Sequence, residues 1–324
     1  MLKRKALPVI VMPLKLRNMV VNAWLLLSAL LILLAACSNS RGPSIRTFAS
    51  PDEADKALIA TAKSGDQATS LAIFGPESKE LISSGDAVED KNAIAAFISR
   101  YDAMHRWRKL GDGAQMLLVG ADNFPFPVPL KRDASGQWFF DTAAGKEEIL
   151  NRRIGRNELA IIDVCKAVAS AQAQYFSRLH DGATTKQYAM KFISDPGKEN
   201  GLYWKSAEGQ PESPLGPLAA FATAEGYVVK AGDHAPFHGY YFRMLKGQSK
   251  NAPGGAKEYL VDGKMTGGFA FVSYPAEYAD TGIMTFIINQ NGLLLQKDLG
   301  KTTAETAAAM TEYDPDFSWS PVQQ

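Results

Sequence analysis

The chain has 324 residues, of which 46% are hydrophobic and 21% charged, with 35 basic against 34 acidic side chains. That balance describes a folded body with room for two ordinary domains. With the five basic residues before residue 37 set aside, the body is mildly acidic, which argues against nucleic acid as a partner, and two cysteines are too few for a disulfide framework.

At the start, Lys3, Arg4, Lys5, Lys15 and Arg17 precede an apolar run over 23–34, and no acid occurs before Cys37. The run is about a dozen residues, short of the ~20 that a membrane-spanning helix needs. It ends in Leu34-Ala35-Ala36-Cys37, followed by Ser38-Asn39-Ser40. A basic start, a short apolar core and small residues at the cut resemble a bacterial lipoprotein signal with its lipobox. The competing reading is an uncleaved anchor helix with an incidental cysteine. The start is long for such a signal, so Met12 and Met19 are alternative first residues. The resemblance implies removal of 1–36 and lipid on both the thiol and the new amine of Cys37. More than one buried chain is what stable anchoring requires. Ser38 beside the cysteine is similar to the default sorting pattern of outer-membrane lipoproteins, so the expected address is the periplasmic face of that membrane. Cleavage leaves about 288 residues, 30 basic against 34 acidic, a net of −4, with Cys165 lacking a partner in the chain.

Residues 37–47 are small and polar around Gly42-Pro43 and read as a tether. A first α+β domain is expected over 48–142. Ser50-Pro51-Asp52-Glu53 starts a helix that Gly65 closes, a second covers 66–74, and a third covers 88–108 with Ile94, Phe97, Ile98, Tyr101 and His105 on one stripe. Strands are expected over 115–119, 128–131 and 137–140, the last two as a hairpin around Asp133-Ala134-Ser135-Gly136. Phe124-Pro125-Phe126-Pro127 is too rich in proline for a central strand. Helices first and a hairpin later resemble the cone-shaped fold typified by nuclear transport factor two.

A second α+β domain is expected over 143–324. A charged helix over 143–153 is interrupted at Gly155, and Asn157 caps a longer one to 179 with Ile161, Cys165, Val168, Tyr175 and Leu179 on its apolar face. Short helices are expected over 186–192 and 214–223. Strands follow over 238–245, 258–261, 268–274, 282–288 and 293–297, with Gln290-Asn291-Gly292 as a tight turn, and a closing helix spans 303–310. A long helix followed by an antiparallel meander resembles the soluble part of bacterial pseudopilins. Here, though, a whole domain and a lipobox precede that helix, so a pilin role is not implied. No internal repeat is present.

A run of motifs carries a family likeness. Asp141-Thr142-Ala143-Ala144-Gly145-Lys146-Glu147-Glu148 leads to Arg152-Arg153-Ile154-Gly155-Arg156-Asn157-Glu158; Gly201-Leu202-Tyr203-Trp204, Glu212-Ser213-Pro214-Leu215-Gly216-Pro217, His238-Gly239-Tyr240-Tyr241-Phe242-Arg243, Tyr274-Pro275-Ala276-Glu277-Tyr278 and Lys297-Asp298-Leu299-Gly300 follow. Together they resemble a bacterial envelope family, domain of unknown function 2950, over about 48–321. The resemblance brings no activity with it.

Chemistry-bearing residues are sparse. His234-Ala235-Pro236-Phe237-His238 has two imidazoles four apart, a metal-ligand spacing on a helix, but Pro236 breaks that helix and no zinc-protease Glu accompanies them. Loop and strand-start roles suit both better. His105 sits on a helix stripe, and His180 at a helix end where a cation suits the dipole. Cys165 on a buried face reads as an inert thiol. No Gly-x-Ser-x-Gly elbow or phosphate loop is present. Glu277 and Asp298 read as solvated or capping acids. Aromatics crowd the second half, most of them core. Tyr240 and Tyr241 must face opposite sides of a strand, so one of them, with Tyr203 or Trp204, can line a groove for a glycan or peptide.

The resulting expectation is an α+β lipoprotein anchored through Cys37, binding or assembling in the cell envelope without catalysis. Its candidate ligand surface is Tyr203, Trp204, His234, His238, Tyr240 and Tyr241. Its partners are the membrane through the lipid and an envelope protein, glycan or peptide, with no cofactor and no metal. The alternative is an envelope hydrolase or transferase with its site at the His234–His238 loop.

Overall fold

A computed structural model describes residues 45–228 and 235–323. Cys37, the signal, most of the tether and His234 lie outside the described residues.

Local chemistry sets the first helices. Helix α1 (Pro51–Ser64) is capped by Ser50, whose Oγ accepts from the Glu53 amide at 3.2 Å, while Glu53 reaches back to the Ala49 amide at 3.0 Å. Gly65, at φ 66°, ends it. Helix α2 (Gln67–Phe74) starts on Asp66, α3 (Lys79–Ile82) is one turn, and α4 (Ala87–Ala103) starts on Asp86. The expected continuation of α4 to residue 108 does not form. Met104 is extended, and β1 (His105–Lys109) pairs antiparallel with β2 (Gln115–Val119). The apolar stripe proper ends at Tyr101, and beyond it charged residues around Trp107 gain more from ladder bonds than from an exposed helix.

The first sheet has the order β1-β2-β4-β5, with β4 (Leu130–Arg132) and β5 (Trp138–Phe140) forming the expected hairpin. The proline-rich stretch supplies only the short β3 (Phe124–Pro125), beside β2. One hydrophobic cluster fills the space under the helices, including Phe48, Leu58, Ile73, Leu117, Leu130 and Phe140.

Helix α5 (Thr142–Phe176) is continuous for 35 residues, which corrects the expected break at Gly155. A helical glycine costs about 1 kcal/mol against alanine, less than the packing along this helix returns. Asn157 is no cap. It is buried, and its Nδ2 donates to the Thr281 carbonyl at 2.8 Å. The buried face runs Ile154, Asn157, Ile161, Val164, Cys165, Val168, Ala171, Gln172 and Tyr175, at steps of three and four.

The stretch over 179–215 is irregular, and the expected helix at 186–192 is absent. It packs along the end of α5. The Gln172 carboxamide clasps the Ala189 backbone in both directions at 2.9 Å, and Tyr188 stacks on Phe176. Helix α6 (Gly216–Glu225) follows. Strand β6 (Tyr240–Leu245) leads through four two-residue strands, β7 (Gly247–Gln248), β8 (Lys257–Glu258), β9 (Leu260–Val261) and β10 (Lys264–Met265). Then β11 (Ala270–Pro275), β12 (Met284–Asn289) and β13 (Leu295–Asp298) return as the expected meander, with Gly292 at φ 76° in the last turn. Helix α7 (Thr303–Ala309), β14 (Glu312–Tyr313) and β15 (Ser320–Pro321) close the chain. The second sheet has the order β15-β13-β12-β11-β6, all antiparallel. The buried face of α5 and this sheet share the second hydrophobic cluster. The fold is therefore mixed α+β, and the chain from Ile45 onward is one compact unit holding two hydrophobic clusters.

Candidate functional site

Two segments far apart in sequence meet at the start of α4. Asp86 caps that helix through Oδ1, which accepts from the Val88 and Glu89 amides at 3.1 Å. Its other oxygen accepts the Tyr227 hydroxyl at 2.8 Å and the Gly239 amide at 3.3 Å. One carboxylate thus joins α4, the end of α6 and the start of β6. The entry to β6 is a two-residue turn, with Phe237 and Tyr240 exchanging backbone hydrogen bonds at 3.0 and 3.1 Å. His238 and Gly239 sit at φ 48° and 71°, as a hairpin turn of that kind demands. Histidine is uncommon there, and Gly239 is required, because a Cβ would come within 2.7 Å of Asn157 Nδ2.

The His238 imidazole is buried between carboxylates. Nε2 lies 3.2 Å from Glu225 Oε2, Nδ1 lies 3.8 Å from Glu89 Oε2, and Arg156 Nε stands 3.4 Å from Glu89 Oε1. Burial opposes the charged ring, but Glu89, Glu225 and Asp86 together hold its pKa above the ordinary histidine value. Glu89 is held below the ordinary carboxylate range by His238 first, against burial, and by Arg156. Burial and the Asp86 carboxylate push the Tyr227 hydroxyl far up, so it stays a donor. The geometry is that of a charge clasp: both ring nitrogens of His238 face acids.

Above the clasp lies a cavity of 560 Å³ between α6, the middle of α5, the start of α4 and β6. Val164, Val168, Leu218, Ala222, Phe237 and Tyr241 are among its walls, and Asp86 and Tyr227 stand at its polar end. Its size is that of a small-molecule or side-chain pocket. The roof helix α6 carries no charged side chain except Glu225. Ala219 and Ala222 face inward, while Phe221 is 55% exposed and Val228, just past the helix, 72%. Gly226 at φ 105° ends α6, and Asn92 Nδ2 donates to the Glu225 carbonyl at 3.0 Å, fixing the roof to α4.

The candidate residues read from sequence divide between places. Tyr240 is fully buried, donating to the Met284 carbonyl at 2.9 Å, and Tyr241 is partly buried beside Tyr274. Both border the cavity, and so does Tyr203. Tyr203 also borders a second, more polar hollow of 670 Å³ that Trp204, Arg178, Lys198 and Glu212 line. Trp204 packs edge-on against Tyr175 and His180. His238 does not line the cavity but braces it from behind. Asp86, Glu89 and Glu225 escaped the sequence reading, and Tyr227 counted only among the aromatics of the second half; Asp86-Ala87-Val88-Glu89 is a capping pattern, but its partners lie about 140 residues later.

The remaining chemistry-bearing groups have ordinary surroundings. Cys165 is buried beside Ser273 Oγ at 3.3 Å, and burial pushes its thiol up to about 12, which makes it inert. His105 begins β1 rather than lying on a helix, and stacks on Tyr101 at 3.9 Å. His180 follows the end of α5, with Nε2 3.0 Å from the Tyr175 carbonyl and Nδ1 2.9 Å from Glu199. Asp298 accepts from the Gly300 amide at 2.7 Å, a capping role, and Glu277 is exposed. Among the described residues, no group of three or more His, Cys, Asp or Glu is placed to hold a metal ion, and no helix is long and apolar enough to cross a membrane.

A family model described as a protein of unknown function, DUF2950, matches residues 45–322. No curated protein and no solved structure matches the chain.

Proposed function

The chain belongs to the DUF2950 family, and on that premise we propose that it is a lipid-anchored binding module of the bacterial cell envelope, with the apolar cavity under α6 as its ligand site. The anchor half of this reading rests on the lipobox sequence ending in Cys37. The binding half rests on one observation: a 560 Å³ apolar cavity, with the exposed Val228 among its lining residues, roofed by a helix that also exposes Phe221. A surface helix without a polar outer face is a sign of something that covers it. Ligand entering below α6 gains the burial of Leu218, Phe237 and Tyr241, at roughly 25 cal/mol per Å² of apolar surface removed from water. The clasp at Asp86, Glu89 and His238 keeps the cavity preformed, which lowers the ordering cost of binding. In this reading His238 is structural: it lies outside the lining of the cavity, and both ring nitrogens face acids.

The test is in-cell crosslinking of the full-length protein with a photoreactive residue at Val228. The reading expects one envelope component captured repeatedly, lost when Ala222→Phe fills the cavity, and acyl chains on Cys37 at the mature N-terminus by mass spectrometry. An unchanged adduct pattern in Ala222→Phe overturns the cavity as the site. A mature protein without acyl chains on Cys37 overturns the lipid anchor.

A further inference from the structure

The outer edge of the first sheet carries a second feature, independent of the cavity. Strand β1 reads His105-Arg106-Trp107-Arg108-Lys109 and has β2 on one side only. Its ladder can be phased from the bonds at its ends. The Gly120 amide donates to the Met104 carbonyl at 2.8 Å, and the Leu110 amide donates to the Ala114 carbonyl at 2.8 Å. With His105 opposite Val119 and Lys109 opposite Gln115, the even residues exchange hydrogen bonds with β2. The N–H and C=O groups of His105, Trp107 and Lys109 therefore point away from the sheet. None of them has a partner among the described residues, and the strand is exposed apart from half-buried Trp107.

The charges on this edge have one sign. Arg106, Arg108 and Lys109 enter no ion pair among the described residues, in contrast to Lys63, Lys131 and Arg152 nearby in sequence or in the same unit. The nearest acids in sequence are already engaged. Asp102 pairs with Lys63 at 2.9 Å, Asp112 accepts the Ala114 amide at 3.1 Å in the turn, and the largely buried Asp55 faces His105 at 3.7 Å from α1. Charged edges commonly serve to stop sheets from joining. A row of cations does so for one kind of partner only: a second copy of the same basic strand would place like charges opposite each other, while an acidic strand would place opposite ones.

We propose that β1 is a docking edge for an extended acidic segment of a partner protein, which adds to the first sheet as a new strand beside His105, Trp107 and Lys109. Main-chain bonds to the three outward residues supply the pairing, and acids facing Arg106 and Arg108 supply the choice of partner. The edge lies in the first sheet, so it serves a protein partner while the cavity under α6 serves the ligand.

The test uses full-length protein in neutral detergent and a synthetic peptide of alternating Glu and Val, with amide hydrogen exchange resolved residue by residue. The expected result is at least tenfold slower exchange of the outward amides of His105, Trp107 and Lys109 at saturating peptide. The Arg106 and Arg108 amides, already bonded to β2, change little. The double variant Arg106→Glu and Arg108→Glu keeps the fold and weakens binding at least tenfold, and an alternating Lys and Val peptide binds that variant instead. Peptide binding without protection of the outward amides overturns strand addition. Association with anionic lipid vesicles but not with the acidic peptide overturns the protein partner in favour of a membrane surface.

Discussion

Asp86→Ala removes a helix cap and a buried junction in one step. The lost cap is worth about 1 kcal/mol, the lost Tyr227 bond to a charged acceptor roughly 1.5–3 kcal/mol, and the longer Gly239 bond about 1 kcal/mol. The side chain is buried, so water does not replace its partners, and the sum is about 3.5–5 kcal/mol of unfolding free energy. Tyr227→Phe removes only the hydroxyl that donates to Asp86 at 2.8 Å, a loss of about 1.5–3 kcal/mol. Because both variants delete the same bond, the double variant should cost little more than Asp86→Ala alone. The coupling energy should then be about 1.5–3 kcal/mol, against the few tenths that independent sites show. Urea unfolding of the four proteins, followed by circular dichroism with equal m-values, measures it. Additive losses within about 0.5 kcal/mol would show that Asp86 and Tyr227 do not act on each other. In that case the junction between α4 and the end of α6 does not hold the cavity in shape.

Four further outcomes follow, two from the clasp and two from glycines elsewhere. His238 has a raised pKa in the folded chain, so the folded state holds its proton more tightly than the unfolded one; its stabilisation is complete below the unfolded value of about 6.5 and fades as pH rises through the folded value. Unfolding measured from pH 6 to 9 should show that decline, and His238→Asn, which tolerates the same backbone, should flatten it. Glu89, with a depressed pKa, contributes the opposite limb, present above the ordinary carboxylate range and lost as pH falls through its folded value. Gly155→Ala should stabilise the protein by about 0.5–1 kcal/mol, because a Cβ there meets nothing within 4 Å and the backbone is helical; a lowered denaturation midpoint would show that the helix bends at this point. Gly282→Ala should destabilise by roughly 2 kcal/mol or more, since its Cβ would fall 2.1 Å from the Tyr240 hydroxyl of a fully buried ring; calorimetry showing an unchanged melting temperature would contradict that packing.

Much of the architecture was legible because it is written locally. Ser50, Asp66 and Gly65 set helix ends within four residues of themselves, and the apolar steps from Ile161 to Tyr175 predict the buried face of α5 without any knowledge of the sheet it meets. The last turn of the meander was marked by Asn291-Gly292, of which Gly292 takes the positive φ, whereas β11 and β12 are buried on both faces and carry no alternation. The misreadings share a cause. Gly155 and Asn157 look like a stop and a cap, yet the helix runs through them because Asn157 is held by Thr281, more than a hundred residues away. Residues 105–109 look like a helix end and become a strand because β2 lies beside them.

The candidate site was legible only in fragments. Tyr203, Tyr240, Tyr241 and His238 could be singled out by residue type, but their sorting into cavity wall, core and clasp depends on how the segments come together. By itself the sequence determined the family, the α+β class and the caps of the first helices, since each is a property of composition or of neighbours along the chain. Only the tertiary structure decided that Asp86 and Glu89 meet Tyr227, Glu225 and His238, that a cavity opens beneath α6, and that β1 is left at an edge. The first of these joins residues some 140 positions apart, and short-range propensity carries no information about such relations; side-chain packing and long-range hydrogen bonds select them when the chain closes.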